Sequence, residues 1–135
     1  MTYPIADIAG IDDDAVAAFK TVGIRTTVGL LEAAKGPRDR KLLAHRTGLP
    51  EKNILCWANM ADRMRIKGVG KENAELLQAA GVDTVKELKY RNPARLAKAM
   101  AEVNAKRKLV RVLPSDRAVV RWIENAKKLQ IKISY

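Results

Sequence analysis

Cysteine and aromatic residues are scarce in this chain of 135 residues. The single cysteine, Cys56, cannot form an internal disulfide, and no second cysteine or close histidine completes a zinc-binding pair. A secreted disulfide scaffold and a zinc finger are therefore excluded. Aromatic residues make up 4% of the chain and hydrophobic residues 47%. Because most of that apolar content is small or aliphatic, we expect packed helices, not a β-sandwich or barrel.

Long apolar runs are also absent. No run approaches the roughly 20 residues that a membrane-spanning helix needs. Near the N-terminus, where a signal peptide would be basic and then apolar, the chain has Asp7 and the acidic run Asp12, Asp13 and Asp14. We expect a soluble, cytoplasmic protein with no membrane partner.

Acidic residues are too few to balance the basic ones. Lys and Arg number 26 against 15 Asp and Glu, which gives a net charge of +11. The excess favours a polyanionic partner. It is uneven, because residues 1–34 hold two bases and five acids, a balance of −3, and the rest of the chain therefore carries +14. This asymmetry indicates a polarised molecule, although many Lys and Arg side chains only coat exposed helix faces.

Glycines, prolines and capping residues divide the chain into about eight short helices, which predicts an all-α fold in a single domain over residues 1–135. Candidate N-caps are Thr26, Thr84, Asn92 and Ser115. The helix after Pro50 is apolar on more than one face, so we expect it to be central and to bury Cys56 as an inert thiol. The last residues, 131–135, alternate like a short strand but could equally be frayed.

An internal repeat relates two parts of the chain at an offset of 58 residues. The offset aligns Ile8–Ile11 with Ile66–Val69, and Gly23–Thr26 with Gly81–Thr84. Each copy is predicted to form a hairpin, a helix, a glycine turn and a capped helix. The predicted organisation is two pseudo-repeats at about 5–34 and 63–92, a bridging αα-hairpin over 37–65, and a C-terminal helical extension over 93–135.

The second hairpin, residues 66–70, carries the candidate binding chemistry. Its sequence, with the start of the next helix, is Ile66-Lys67-Gly68-Val69-Gly70-Lys71. Two glycines permit a turn whose backbone N–H groups face an anion at a helix N-terminus. The pattern resembles the helix-hairpin-helix motif of DNA repair and replication proteins. We therefore predict phosphate binding by Lys67, Gly68, Val69, Gly70 and Lys71; the alternative is an ordinary turn that needs glycine only for its geometry.

The first hairpin, residues 8–12, leads into Asp12, Asp13 and Asp14 where the second has Gly70, Lys71 and Glu72. Three carboxylates repel phosphate but suit a helix N-terminus, so we expect them to cap the following helix. Two other interpretations stay open. The acids could dock on a basic protein surface, including that of a second copy, or they could hold a divalent metal, although adjacent acids on a helix point in different directions.

Most of the chain resembles a bacterial family described as a domain of unknown function and related to tandem helix-hairpin-helix proteins. The residues that carry the resemblance are Ile5–Ala34, Trp57–Asp62, Met64–Gly70, Ala80–Leu88 and Arg91–Pro93. The resemblance implies an all-helical unit with two hairpins related by a pseudo-twofold. In tandem motifs that bind DNA, both hairpins hold phosphates across the minor groove, and the acidic first hairpin departs from that arrangement.

Two further segments compete for a role in binding. Residues 43–54 have the spacing of a helix-turn-helix, but the apolar character of their second helix favours the core. The densest basic segment holds Lys106, Arg107, Lys108 and Arg111, followed by Arg117 and Arg121. We predict that Lys106, Arg107, Lys108 and Arg111 add phosphate contacts; the alternative is a solvated helix end.

Candidates for catalysis are few. His45 is the only histidine and has no paired nucleophile, and the second hairpin lacks the spacing and the Ser or Thr of a Walker loop. We expect neither an enzyme nor a bound cofactor or metal. The sequence predicts nucleic-acid binding without sequence specificity, with duplex DNA as the preferred partner. The alternative is a helical interaction or self-assembly module whose hairpins are purely structural.

Overall fold

The structure, a computed structural model, describes residues 2–135. Over these residues it is all-α, as predicted, with a short 3-10 helix at Ile5–Asp7, eight α-helices and no strand. The α-helices are α1 (Asp13–Thr21), α2 (Thr27–Ala33), α3 (Pro37–Thr47), α4 (Glu51–Met64), α5 (Gly70–Ala79), α6 (Val85–Lys89), α7 (Pro93–Arg107) and α8 (Asp116–Lys128). The predicted number of helices is therefore confirmed for the described residues.

Helix α4 is the centre of the core. It packs against α2, α3 and α5, and Ile54, Trp57 and Met64 are buried along its length. Trp57 meets Phe19 of α1 edge to face, with ring centroids 5.8 Å apart, a favoured aromatic geometry. The prediction of a central helix is confirmed.

The predicted burial of Cys56 is wrong, because its side chain is exposed. Lys52 and Cys56 are four residues apart and lie on the same face of α4, and both are exposed together with Asn53. The flanking apolar residues Leu55 and Trp57 do not place Cys56 in the core, since helical rotation turns it toward solvent.

Side-chain caps begin the helices where the sequence places them. The Thr26 hydroxyl accepts the Gly29 N–H at 3.0 Å, and the Thr84 hydroxyl accepts the Glu87 N–H at 3.2 Å. Asn92 and Ser115 cap α7 and α8 in the same way. These caps satisfy amides that the first helical turn leaves without a partner, so the helix starts follow from local sequence.

Several backbone features recur at the offset of 58 residues. Gly10 and Gly68 have φ of 80° and 89°, and Gly23 and Gly81 have φ of 84° and 96°. The turn bond from Ile24 N–H to Phe19 oxygen has its counterpart between Val82 and Leu77, and both measure 2.9 Å. The duplication of whole units remains a prediction.

Buried polar residues at the end of α4 hold the second half of the chain together. The Arg63 guanidinium donates from Nε to the Ala74 carbonyl at 2.8 Å and from Nη1 to the Asp83 carbonyl at 2.7 Å. Burial lowers the pKa of Arg63, and the neighbouring Asp83 carboxylate opposes that shift. Asp62 accepts the Val85 N–H at 2.9 Å. Helix α4 is thereby joined to α5 and to the start of α6.

The C-terminal residues 129–135 form neither a strand nor a frayed end. The Ser134 N–H donates to the Lys35 carbonyl at 2.8 Å, and Arg40 Nη2 donates to the Ser134 carbonyl at 2.8 Å. Ile133 is buried. Both expectations for this segment are wrong, because hydrogen bonds to the Lys35 carbonyl and from the Arg40 side chain hold it in place.

Helices α7 and α8 are integrated with the second predicted repeat. They pack against each other, α8 also packs against α6, and α7 against α5. The chain after Pro93 thus covers the half of the molecule that holds the second hairpin. This packing brings α8 beside residues about 50 positions earlier in the sequence.

Replacing Arg63 by Ala should lower the free energy of unfolding by about 3 kcal/mol, because the carbonyls of Ala74 and Asp83 lose their donor. Urea denaturation measures this loss. The exposed Arg46 of α3 serves as the control, and Arg46→Ala should cost less than about 0.5 kcal/mol. Equal stability of the two variants would contradict the role given to Arg63.

Candidate nucleic-acid interface

The second hairpin is anchored by its apolar residues and exposes its polar ones. Ile66 and Val69 are buried, and the Val69 N–H donates to the Ile66 carbonyl at 3.1 Å. Lys67 and Gly68 are exposed. Of the predicted binding residues, Val69 therefore directs its side chain into the core, whereas Lys67 and Gly68 face solvent.

Both glycines of the hairpin adopt the left-handed backbone conformation that L side chains rarely take. Their φ angles are 89° at Gly68 and 66° at Gly70. A Cβ on Gly68 would also lie 3.4 Å from the indole Nε1 of Trp122 on α8. The turn therefore needs glycine for its geometry, and α8 closes against it.

Helix α5 begins directly after this turn without a side-chain cap. The cap position is Val69, whose side chain forms no hydrogen bond to the first turn. The N–H groups that begin a helix carry a partial positive charge and otherwise need a cap, water or an anion. The start of α5 is thus compatible with the predicted phosphate contact.

A cleft of about 590 Å³ lies between the second hairpin and α8. Lys67 and Gly68 line one side, Arg121 and Trp122 line the other, and Asn73 lies at the start of α5. The cleft has two basic residues and no acidic residue in its lining. The buried Asn73 Oδ1 has no hydrogen-bond donor among the described residues. The lining of the cleft is thus electropositive.

Lys71 lies apart from this cleft. It lines a separate depression of about 350 Å³ between the first hairpin and the start of α5, together with Asp7, Glu72 and Glu75. Three carboxylates and one ammonium group give this depression a negative balance. Lys67 and Lys71, which the sequence placed at one site, therefore line different depressions.

The basic segment after α7 leads toward the cleft. Lys106 and Arg107 end α7, Lys108 follows with φ of 51°, and all three side chains are exposed. Arg111 is exposed in the connection to α8. Pro114, three residues later, lines the cleft. The basic segment therefore precedes a residue of the cleft in the chain, and none of its four basic residues lines the cleft itself.

Arg121, Trp122 and Asn73 belong to the cleft, although the sequence analysis did not assign them to the site. The only signal in the sequence is the basic character of Arg121, and it does not predict that Arg121 lies beside the second hairpin. Trp122 belongs to the buried face of α8, and its proximity to Gly68 depends on how α8 packs. Sequence periodicity predicts which face of a helix is buried, but it does not predict which element packs against that face.

The acids after the first hairpin have a capping role. The Asp12 carboxylate accepts the Ala15 N–H at 2.7 Å, which confirms the predicted cap of α1. Asp13 and Asp14 are exposed. Within residues 2–135, no group of three or more His, Cys, Asp or Glu side chains is arranged to hold a metal ion.

The helix-turn-helix candidate, residues 43–54, joins α3 to α4. Gly48 ends α3 with φ of 76°, as its position predicts. Leu43 and Ile54 are buried, and α4 is enclosed by α2, α3 and α5. The expectation that its second helix belongs to the core is confirmed. His45 is exposed on α3.

Comparison with protein families matches residues 9–129 to the family described as a domain of unknown function (DUF4332). The chain belongs to this family. The matched range includes the second hairpin, the first hairpin except Ile8, and every residue of the cleft. No match was found among curated proteins or among solved structures. Among residues 2–135, no helix has both the length and the apolar character that crossing a membrane requires.

Gly68→Ala and Gly70→Ala should each lower the free energy of unfolding by about 1 kcal/mol or more, because an L side chain is strained at positive φ. Gly68→Ala should cost more, since its φ of 89° lies farther from the left-handed minimum than the 66° of Gly70. Urea denaturation measures both values. A negligible cost for both would mean that the hairpin relaxes away from the left-handed conformation.

Proposed function

We propose that the protein binds nucleic acid without reading its sequence, through the cleft between the second hairpin and α8, with duplex DNA as the partner. The observation that carries this proposal is the composition of the cleft. Lys67 and Arg121 approach it from two different elements, and no acid lines it. The depression beside Lys71 has the reverse charge balance.

A DNA phosphate fits the chemistry of this cleft. The uncapped start of α5 offers backbone N–H groups, and the helix dipole favours an anion there. Lys67 and Arg121 supply charge beside it. None of these groups distinguishes one base from another, because phosphate contacts carry no sequence information. The proposed binding is therefore independent of sequence.

The proposed contact is one-sided. The exposed Asp13 and Asp14 beside the first hairpin repel phosphate, as does the acidic depression that contains Asp7. We propose that Lys106, Arg107, Lys108 and Arg111, all exposed, add further phosphate contacts. We propose a binding protein that is not an enzyme and needs no cofactor. We place it in the cytoplasm, where reducing conditions suit an exposed free cysteine.

Replacing Lys67 and Arg121 together by Glu should weaken binding to a random-sequence duplex at least about tenfold, since each phosphate contact is worth a large share of non-specific affinity. Fluorescence anisotropy with a labelled duplex measures the change. These residues are exposed, so the double variant should keep the fold, which circular dichroism checks.

The matched control replaces Lys20 and Lys41 by Glu. Both residues are exposed on α1 and α3, and the control changes the net charge by the same amount. It should alter affinity by less than about threefold through the general field alone. Equal loss in both double variants would attribute binding to overall charge and would contradict a site at the cleft.

Binding should also weaken as salt rises, because phosphate contacts release counterions from DNA. The slope of log affinity against log salt should fall by about 2 in the Lys67→Glu, Arg121→Glu variant, close to 0.9 for each lost contact. Titrations at several salt concentrations give both slopes. Affinity that does not depend on salt would exclude the proposed mode of binding.

A second candidate is a helical interaction or self-assembly module. It is favoured by Asp13 and Asp14, which stay exposed while Asp12 caps α1. Two copies could then pair the acidic start of α1 with the basic surface near the cleft. The solution mass at low and high salt tests this candidate, because a dimer held by exposed charges dissociates as salt screens them.

A further inference from the structure

The connection between α7 and α8 holds an apolar tip in solvent. Val112 is 82% exposed and Leu113 is 41% exposed. Arg111 precedes them, and its side chain is exposed as well. Single exposed aliphatic residues are common on protein surfaces. The position and the rigidity of this tip, residues 111–113, distinguish it from such residues.

The tip is held between two fixed points. On one side, the Asn104 side chain forms two hydrogen bonds with the backbone of Val110. Its Nδ2 donates to the Val110 carbonyl at 3.1 Å, and its Oδ1 accepts the Val110 N–H at 3.0 Å. The Val110 side chain is buried. On the other side, Ser115 caps α8 by accepting the Ala118 N–H at 3.1 Å. Four residues, the tip and Pro114, therefore lie between two anchored ones.

The tip also adjoins the proposed phosphate site. Pro114 follows Leu113 directly and lines the cleft with Lys67 and Arg121. Adjacent Cα atoms are about 3.8 Å apart, so Leu113 stands at the rim of the cleft. Exposed bases flank the tip on the other side, at Lys106, Arg107 and Lys108. A phosphate backbone in the cleft would bring its bases close to Val112 and Leu113.

We infer that Val112 and Leu113 form a wedge that enters the groove of bound DNA and inserts at a base step. This inference rests on the proposed function and specifies its substrate. Apolar side chains that enter a base step unstack it, and in an intact duplex this unstacking reduces the net affinity. The preferred ligand is therefore duplex DNA whose stacking is already interrupted, at a nick, a bulge or a mismatch.

A lipid surface would also attract an apolar tip flanked by bases. The cleft favours DNA, because Lys67 and Arg121 lie in a concave site that a strand can enter and a flat bilayer cannot. Stable attachment of a protein to a membrane also needs more buried apolar area than two aliphatic side chains provide. The experiment therefore includes vesicles as a contradicting outcome.

The test compares two duplexes of the same length and sequence, one intact and one with a central two-nucleotide bulge. The protein should bind the bulged duplex about tenfold more tightly, which corresponds to about 1.4 kcal/mol of avoided unstacking. The Val112→Ser, Leu113→Ser variant should lose this preference and keep its affinity for the intact duplex within about twofold, since no charge changes.

The matched control is Val28→Ser, Leu42→Ser, which removes one Val and one Leu that are 40% and 57% exposed on α2 and α3. This control should retain the preference for the bulge. The fluorescence of a 2-aminopurine placed beside the bulge should increase when the native protein or the control binds, because unstacking relieves its quenching. This fluorescence should not increase when the Val112→Ser, Leu113→Ser variant binds.

The outcomes separate the wedge from the function on which it rests. Equal affinity of the native protein for both duplexes overturns the wedge and leaves nucleic-acid binding intact. Failure to bind either duplex contradicts the proposed function itself. Sedimentation of the native protein with anionic phosphatidylserine vesicles, lost in the Val112→Ser, Leu113→Ser variant, would assign the tip to a membrane surface and overturn the wedge.

Discussion

The buried charge of Arg63 is the constraint on which the arrangement of the second half depends. A guanidinium that is 1% exposed is tolerated only if fixed acceptors surround it, because an unpaired buried charge costs far more than most packing defects. Its acceptors are the carbonyls of Ala74 and Asp83, one on α5 and one before α6. Its neighbour Asp62 binds the Val85 N–H at the start of α6. The second hairpin leaves α4 three residues after Arg63, so its position follows from these bonds.

Charge is separated across short distances on this scaffold. The start of α5 borders two depressions, and their linings have opposite balances: Lys67 and Arg121 on one side, and Asp7, Glu72 and Glu75 around Lys71 on the other. A polyanion that approaches this helix is attracted from one direction and repelled from the other. Charge is thus uneven in space as well as along the sequence, because a basic and an acidic depression both border the start of α5. Such a field orients any polyanion near this helix before contact.

Local features of the sequence predicted much of the fold, because helix ends are set by nearby residues. Thr26, Thr84, Asn92 and Ser115 cap helices, and Gly48 ends one. The failures concern long-range packing. The C-terminal segment is held by Arg40 through a bond to Ser134, which spans most of the chain. The cleft forms only because α8 packs beside the second hairpin. Periodicity predicts the buried face of α8 but not the element that packs against it. The burial of Cys56 was predicted wrongly for a different reason. Its neighbours in the sequence are apolar, but its position around the axis of α4 places it on the exposed face.

The contribution of α8 to the cleft has a consequence for biosynthesis. The second hairpin leaves the ribosome about 50 residues before Arg121 and Trp122, and domains begin to fold as they emerge. During that interval the nascent chain has the turn and the start of α5 without the opposite wall of the cleft. The cleft is therefore complete only after α8 has been synthesised and has packed against the second hairpin. Its electropositive lining forms in a late step of folding.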